Sequence, residues 1–182
     1  VEVANELKNQ GFAKAQQFDD VSVLFTDFVG FTRISQNLKP KELVGEINKY
    51  FSQFDKIMEK YGVEKIKTIG DAYMAVSGLP TADPDHAENI LKAAIEIRDF
   101  VKNQKDQGGL FDVRIGINSG SVVAGIIGIK KYAYDIWGDA VNVAARMESN
   151  SEVGRKTKKG ERELHLCPRY GLLLIRKCSR RF

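Results

Sequence analysis

Apolar positions between residues 21 and 149 alternate between strand-like runs and helical spacing. Val21–Phe25 is nearly continuous in Val, Leu and Phe and runs into a Gly-containing turn, which predicts a buried strand. Thr32–Leu38 begins a helix that Lys39-Pro40 punctuates. Over Lys41–Tyr61, Leu43, Val44, Ile47, Tyr50, Phe51, Phe54, Ile57, Met58 and Tyr61 recur at three-four spacing, an amphipathic helix that Gly62 ends. Val63–Ile69 and Ala72–Ser77 read as a hairpin around Gly70-Asp71. A loop with two prolines follows, and Pro84 opens a second long helix through about Asn103, with Ile90, Leu91, Ala94, Ile97, Phe100 and Val101 inward. Phe111–Asn118 and Ser121–Ile127 are expected as two strands around Ser119-Gly120. Ile129–Ala133 is a basic and aromatic loop, Tyr134–Trp137 a short strand, and Gly138-Asp139 opens a helix to about Ser149.

This order of strand, helix, hairpin, helix, hairpin, strand and helix predicts an α+β fold. The expected form is a ferredoxin-like, mainly antiparallel sheet with helices packed on one face. Residues 1–20 are polar with scattered apolar positions and read as a helical linker from an upstream region; the absence of an initiator Met fits a piece of a longer chain. Residues 21–154 form the domain, and residues 155–182 form an atypical basic tail.

Composition adds one asymmetry. The 182 residues, 43% hydrophobic and 29% charged, suit one globular domain. No apolar run approaches the length of a membrane span, and the charged start is not a signal peptide. The net charge of +4 belongs to the tail: residues 155–182 carry ten Lys/Arg against two Glu, leaving residues 1–154 with 18 basic and 22 acidic side chains. A nucleic-acid reading would rest on the tail alone, and the strands show no exposed aromatic stacking pair, so no nucleic-acid partner is expected. Cys167 and Cys178 form no metal or redox motif, as in a reducing compartment.

Two aspartates carry the chemistry. Asp27 ends the first apolar strand before Phe28-Val29-Gly30-Phe31-Thr32, and Asp71 sits in the hairpin turn. Turn-capping is the competing explanation for Asp beside Gly. If the first strand and the hairpin are sheet neighbours, however, the two carboxylates meet at one edge and suit Mg²⁺ or Mn²⁺ held against a phosphate. Backbone N–H groups of Phe28, Val29, Gly30, Phe31 and Thr32 offer a phosphate cradle. Asn142 and Arg146 lie four apart on the last helix, where Arg can neutralise a polyphosphate and Asn can orient a sugar. Lys67, a donor, and Asp135, an acceptor, match the edge of adenine.

Four ordered stretches resemble the catalytic domain of class III nucleotide cyclases, the adenylyl and guanylyl cyclases. They are Leu24–Thr32, Lys65–Tyr73, Arg114–Gly120 and Tyr134–Met147, and the resemblance runs from about Val21 to Ser151. It implies that Asp27 and Asp71 hold two ions, Mg²⁺ or Mn²⁺, with the Phe28 carbonyl as a further ligand. It implies that Arg114 approaches the phosphates, that Ile69 gives an apolar wall for the base, that Asn142 orients the ribose and that Arg146 stabilises the transition state. Lys67 and Asp135 stand at the base-selecting positions; guanylyl members typically carry Glu and Cys there, so ATP is the implied substrate and cyclic AMP the product. The site is expected between two copies of the chain in a head-to-tail homodimer, in a cytoplasmic domain whose parent protein has an upstream sensor or membrane region.

The resemblance stops after Gly154, where the family has a triphosphate-binding Lys in a Gly-flanked basic stretch. Lys158-Lys159-Gly160 is a weak imitation of it, and the abrupt composition reads as out-of-frame or divergent. The tail is expected to stay solvated, with Leu172–Ile175 as an edge strand or apolar surface. A catalytically silent cyclase-like regulatory or dimerisation domain, and a guanylate cyclase, are the alternatives. A diguanylate cyclase is excluded by the turn Gly70-Asp71-Ala72-Tyr73, which lacks that family's Gly-Gly-Asp/Glu-Glu-Phe motif.

Overall fold

A computed structural model describes residues 15–128 and 132–151 and the two strands Leu164–Cys167 and Leu172–Ile175. The linker expectation for residues 1–14, most of the basic and aromatic loop, and Lys158-Lys159-Gly160 lie outside the described residues.

The elements are β1 (Gln16–Phe28), α1 (Phe31–Ser35), α2 (Pro40–Lys60), β2 (Glu64–Ile69), β3 (Ala72–Ser77), α3 (His86–Asp106), β4 (Val113–Ile127), β5 (Ala133–Trp137), α4 (Asp139–Ser149), β6 (Leu164–Cys167) and β7 (Leu172–Ile175). They form one sheet in the order β2-β3-β1-β4-β7-β6, with β5 paired to β4. The β1–β3, β1–β4, β2–β3, β4–β5 and β6–β7 pairs are antiparallel, and β4–β7 is parallel. The α+β, mainly antiparallel architecture expected from the sequence is therefore the one observed.

Alternation along β1 sorts the molecule into two layers. Leu24 and Phe28 enter one core with Tyr50, Phe54 and Ile57 of α2 and Ile90, Ala94 and Ile97 of α3. Val21, Val23 and Phe25 enter a second core with Met74, Val122, Ile136 and Ala140 and Ala144 of α4. The two long helices thus share one face, but α4 covers the other, where the sequence reading put all helices on one face; the buried Ala140 and Ala144 pack on the side of Val21, Val23 and Phe25. Small side chains explain its fit: a Cβ on Gly116 would lie 2.1 Å from the Glu148 nitrogen and 2.5 Å from the Ala144 oxygen, and one on Gly120 would lie 3.2 Å from Ala140 Cβ.

Three boundaries differ from the sequence reading. Residues 16–20 are strand rather than helix: β1 starts at Gln16 and pairs with Ala124, with a register shift between Phe18 and Val21. The expected break at Ser119-Gly120 is absent, because Ser119 and Gly120 stay extended opposite Ser22 and Val21, so β4 runs unbroken. Gly120 serves close approach to α4 instead of a turn. Helix α3 starts at His86, after Pro84, because the Asp83 carboxylate first accepts from the Asp85 N–H (2.8 Å) and the Asn89 side-chain amide (2.9 Å). The tail contributes to the sheet as well. β7 pairs with β4 through Gly116–Asn118, which makes Leu172–Ile175 an interior strand, with β6 at the edge. No helix among the described residues is long and apolar enough to cross a membrane.

Candidate active site

Asp27 faces the α4 layer because its neighbour is committed to the other one. The Phe28 ring stacks on Phe111 at 4.6 Å and meets Tyr50 edge-on at 5.3 Å. Strand alternation then sends the Asp27 side chain to the opposite face. Asp71 arrives by a different route. Ile69 pairs with Ala72 across a two-residue connection, and Gly70 adopts φ 62 there, which only glycine does cheaply. Because β3 lies beside β1, this turn sits next to the end of β1.

The two carboxylates feel each other. Burial, and then the charge of Asp27, push the Asp71 carboxyl above its usual range, while Arg114 pulls it back. Arg114 is the cross-strand partner of Asp27, and its Nη2 donates to Asp27 Oδ2 at 2.5 Å. Arg114 Nε also lies 2.9 Å from Glu148 Oε1. That contact meets the distance of an ion pair but not the alignment of a hydrogen bond, so both buried atoms lack a hydrogen-bond partner among the described residues. Burial raises the Glu148 carboxyl, and the Arg114 charge opposes this.

Among the described residues no group of three or more His, Cys, Asp or Glu is arranged to hold a metal ion. The candidate donor set is therefore the two carboxylates. Such a set fits Mg²⁺ or Mn²⁺, which keep waters and substrate phosphates among their ligands and need few protein donors. With the Phe28 ring buried, only its backbone remains to contribute a carbonyl. In the following turn, Gly30 adopts φ 69 and starts α1, leaving the first amides of that helix without intrahelical partners. Val29 drops out of the expected cradle, because its N–H donates to the Asp112 carbonyl at 2.9 Å, and Phe28 belongs to β1, paired with Val113.

Lys67 and Asp135 do come together. Lys67 Nζ donates to Asp135 Oδ2 at 2.5 Å, and the other carboxylate oxygen accepts from the Ile136 N–H at 2.9 Å. Ile69, nearby on the same strand, is 53% exposed. Asn142 and Arg146 are not brought to the aspartates. Helix α4 buries Ala140, Ala144 and Glu148, and Asn142 and Arg146 lie about 200° round from that stripe and are exposed.

Glu148 is the residue that sequence reasoning missed, and its signal was a charge on the buried stripe of an amphipathic helix. A second unexpected constellation is Asp20, His86 and Ser22. His86 Nε2 is 3.3 Å from Asp20 Oδ1, its Nδ1 is 2.7 Å from Ser22 Oγ, and Ser22 Oγ is 2.6 Å from Ser119 Oγ. Ser22 is fully buried, so no substrate reaches that hydroxyl; the cluster ties α3 to the sheet.

Comparison with known proteins adds to this geometry. The family model described as adenylate and guanylate cyclase catalytic domain matches residues 13–158. An adenylate cyclase of Mycobacterium tuberculosis is 43% identical over 142 residues, covering 78% of this chain and 32% of that protein. A receptor-type guanylate cyclase of Caenorhabditis elegans is 40% identical over 172 residues, covering 92% of this chain and 16% of that protein. The chain thus spans about a third or less of the length of these curated relatives. Among solved structures, the catalytic core of a rhodopsin-guanylyl cyclase with converted specificity, in complex with ATPαS, matches with TM-score 0.73 and 40% identity, covering 77% of each chain.

Proposed function

The chain belongs to the adenylate and guanylate cyclase catalytic domain family, and from that premise we propose that it converts ATP to 3′,5′-cyclic AMP and pyrophosphate at a site shared by two copies of itself. Relatives include both adenylate and guanylate cyclases, so the choice of ATP rests on this chain's own residues. One observation carries it: Lys67 and Asp135 are in contact and present a donor beside an acceptor. That pair complements a ring-nitrogen acceptor and an exocyclic amino donor, the edge of adenine.

In the reaction the ribose 3′-oxygen bonds to the α-phosphorus while the bond from that phosphorus to the bridging oxygen breaks, and pyrophosphate leaves. Two divalent cations, when bound, supply charge neutralisation for the triphosphate and acidify the 3′-hydroxyl. Asp27 and Asp71 are the residues to hold them, with the Phe28 carbonyl. Gly30, Phe31 and Thr32 offer amides to the phosphates, and Arg114 offers its guanidinium. Ile69 gives the base an apolar wall. Asn142 orients the ribose, and Arg146 donates to the α-phosphate as charge builds there. Removing such a preorganised donor costs on the order of 10²–10³-fold in rate. No side chain stands out as a general base, so substrate phosphate or water accepts the 3′ proton.

The exposed, outward placement of Asn142 and Arg146 supports the shared site, because neither faces the aspartates of its own chain. A second copy, docked head to tail, supplies them. The test is product formation from ATP and from GTP with Mn²⁺. The expected result is cyclic AMP from ATP, lost in Asp71→Ala, with preference moving toward GTP in Lys67→Glu/Asp135→Cys. No product from either nucleotide, with the fold intact, would favour a silent regulatory domain.

A further inference from the structure

We propose that Glu148 is a positioning residue for Arg114: it seats the guanidinium so that Asp27 can be handed over to a divalent cation. The inference rests on the metal role proposed for Asp27 and Asp71, and deepens it.

Arg114 occupies the place where a cation would be needed. Its Nη2 holds Asp27 Oδ2, so a metal ion reaching Asp27 competes with an internal guanidinium. A guanidinium cannot lose its proton, so it must keep a partner or move to water. Burial makes the partner matter, because the Arg114 side chain is 30% exposed and that of Glu148 only 10%. Glu148 is already in place, with Oε1 2.9 Å from Arg114 Nε, yet the two are not aligned for a hydrogen bond. Rotation of the guanidinium off Asp27 gives up one hydrogen bond and makes one at Glu148. Glu148 Oε2 is steadied from the side by Ser149 Oγ at 3.3 Å. The whole seat depends on Gly116, where the bare backbone lets the Glu148 turn of α4 reach β4. Arg114 thereby keeps one anchored nitrogen while its other nitrogens face the incoming triphosphate.

Mn²⁺ binding to the nucleotide-free full chain, read by electron paramagnetic resonance of the free ion, tests this without turnover. Glu148→Gln is expected to weaken Mn²⁺ binding by about tenfold, and Arg114→Gln to strengthen it. In the Arg114→Gln background the Glu148→Gln penalty is expected to shrink severalfold. An equal penalty in both backgrounds, as a plain field effect of the lost carboxylate would give, overturns the proposal, and so does no penalty. If Glu148→Gln does not fold, Glu148→Asp keeps the charge but shortens the reach. Weaker binding that disappears with Arg114→Gln supports the seat, and unchanged binding overturns it. Asp71→Asn separates the two claims. Mn²⁺ binding unchanged by Asp71→Asn overturns the metal site and the seat with it, whereas binding lost there alongside a flat Glu148 series overturns the seat alone.

Discussion

Asp71 carries a cost that its proposed role explains. Its carboxyl is raised by burial and by Asp27, so the folded chain binds that proton more tightly than the unfolded chain does. Ionising Asp71 at neutral pH therefore opposes folding, and this contribution makes stability fall as pH rises from the ordinary Asp range through the raised value. Asp71→Asn is expected to raise the melting temperature at pH 7 in the absence of metal, with the gain vanishing below the ordinary Asp range, where both states are protonated. Added Mn²⁺ is expected to stabilise the wild-type chain and not the variant. A calorimetric series over pH, with and without Mn²⁺, checks both; a variant less stable than wild type at pH 7 would contradict the repulsion. Strained carboxylates of this kind are what a site loses stability to keep.

The element that organises the site is α4, and glycine in β4 controls its approach. A Cβ at Gly116 meets backbone of the helix at 2.1 Å, which no rotamer change relieves, whereas at Gly120 it meets only the Ala140 methyl at 3.2 Å. Gly116→Ala is therefore expected to cost about 3 kcal/mol in denaturant unfolding and to weaken Mn²⁺ binding by moving Glu148. Gly120→Ala is expected to cost about 1 kcal/mol and to leave Mn²⁺ binding unchanged. Equal losses at the two positions would show that α4 moves as freely at either end. The same glycines explain an element that sequence reading split. Ser119-Gly120 has turn-like composition, yet pairing with Val21 and Ser22 keeps it extended, since the glycine serves a packing contact. Helix α2 was legible to within a residue at each end and α3 to within two or three, because their apolar spacing and terminal glycines are local signals. The strand at residues 16–20 was not, because its partner lies at Val122–Ala124, more than a hundred residues away.

At the scale of the whole molecule, one chain carries every candidate residue but faces them in different directions. Chains carrying Asp71→Ala and chains carrying Asn142→Ala/Arg146→Ala are each expected to be inactive alone and to recover activity when mixed, up to about a quarter of the wild-type level, since random pairing makes half the dimers mixed, each with one intact site. Activity per chain is expected to fall on dilution; a rate per chain independent of concentration, with no recovery on mixing, would place the site within one chain. The sequence by itself determined the α+β class, the identity of Asp27, Asp71, Lys67, Asp135, Asn142 and Arg146 as candidates, and their order along the chain. These follow from local period, turn chemistry and motif, all of which are written in neighbouring residues. Tertiary structure alone decided that Lys67 touches Asp135, that Arg114 occupies Asp27 with Glu148 behind it, that α4 lies on the face opposite the long helices, and that the tail adds two strands to the sheet. Each is a contact between segments far apart in sequence, settled by strand register, and by which backbones can approach closely, which no local pattern encodes.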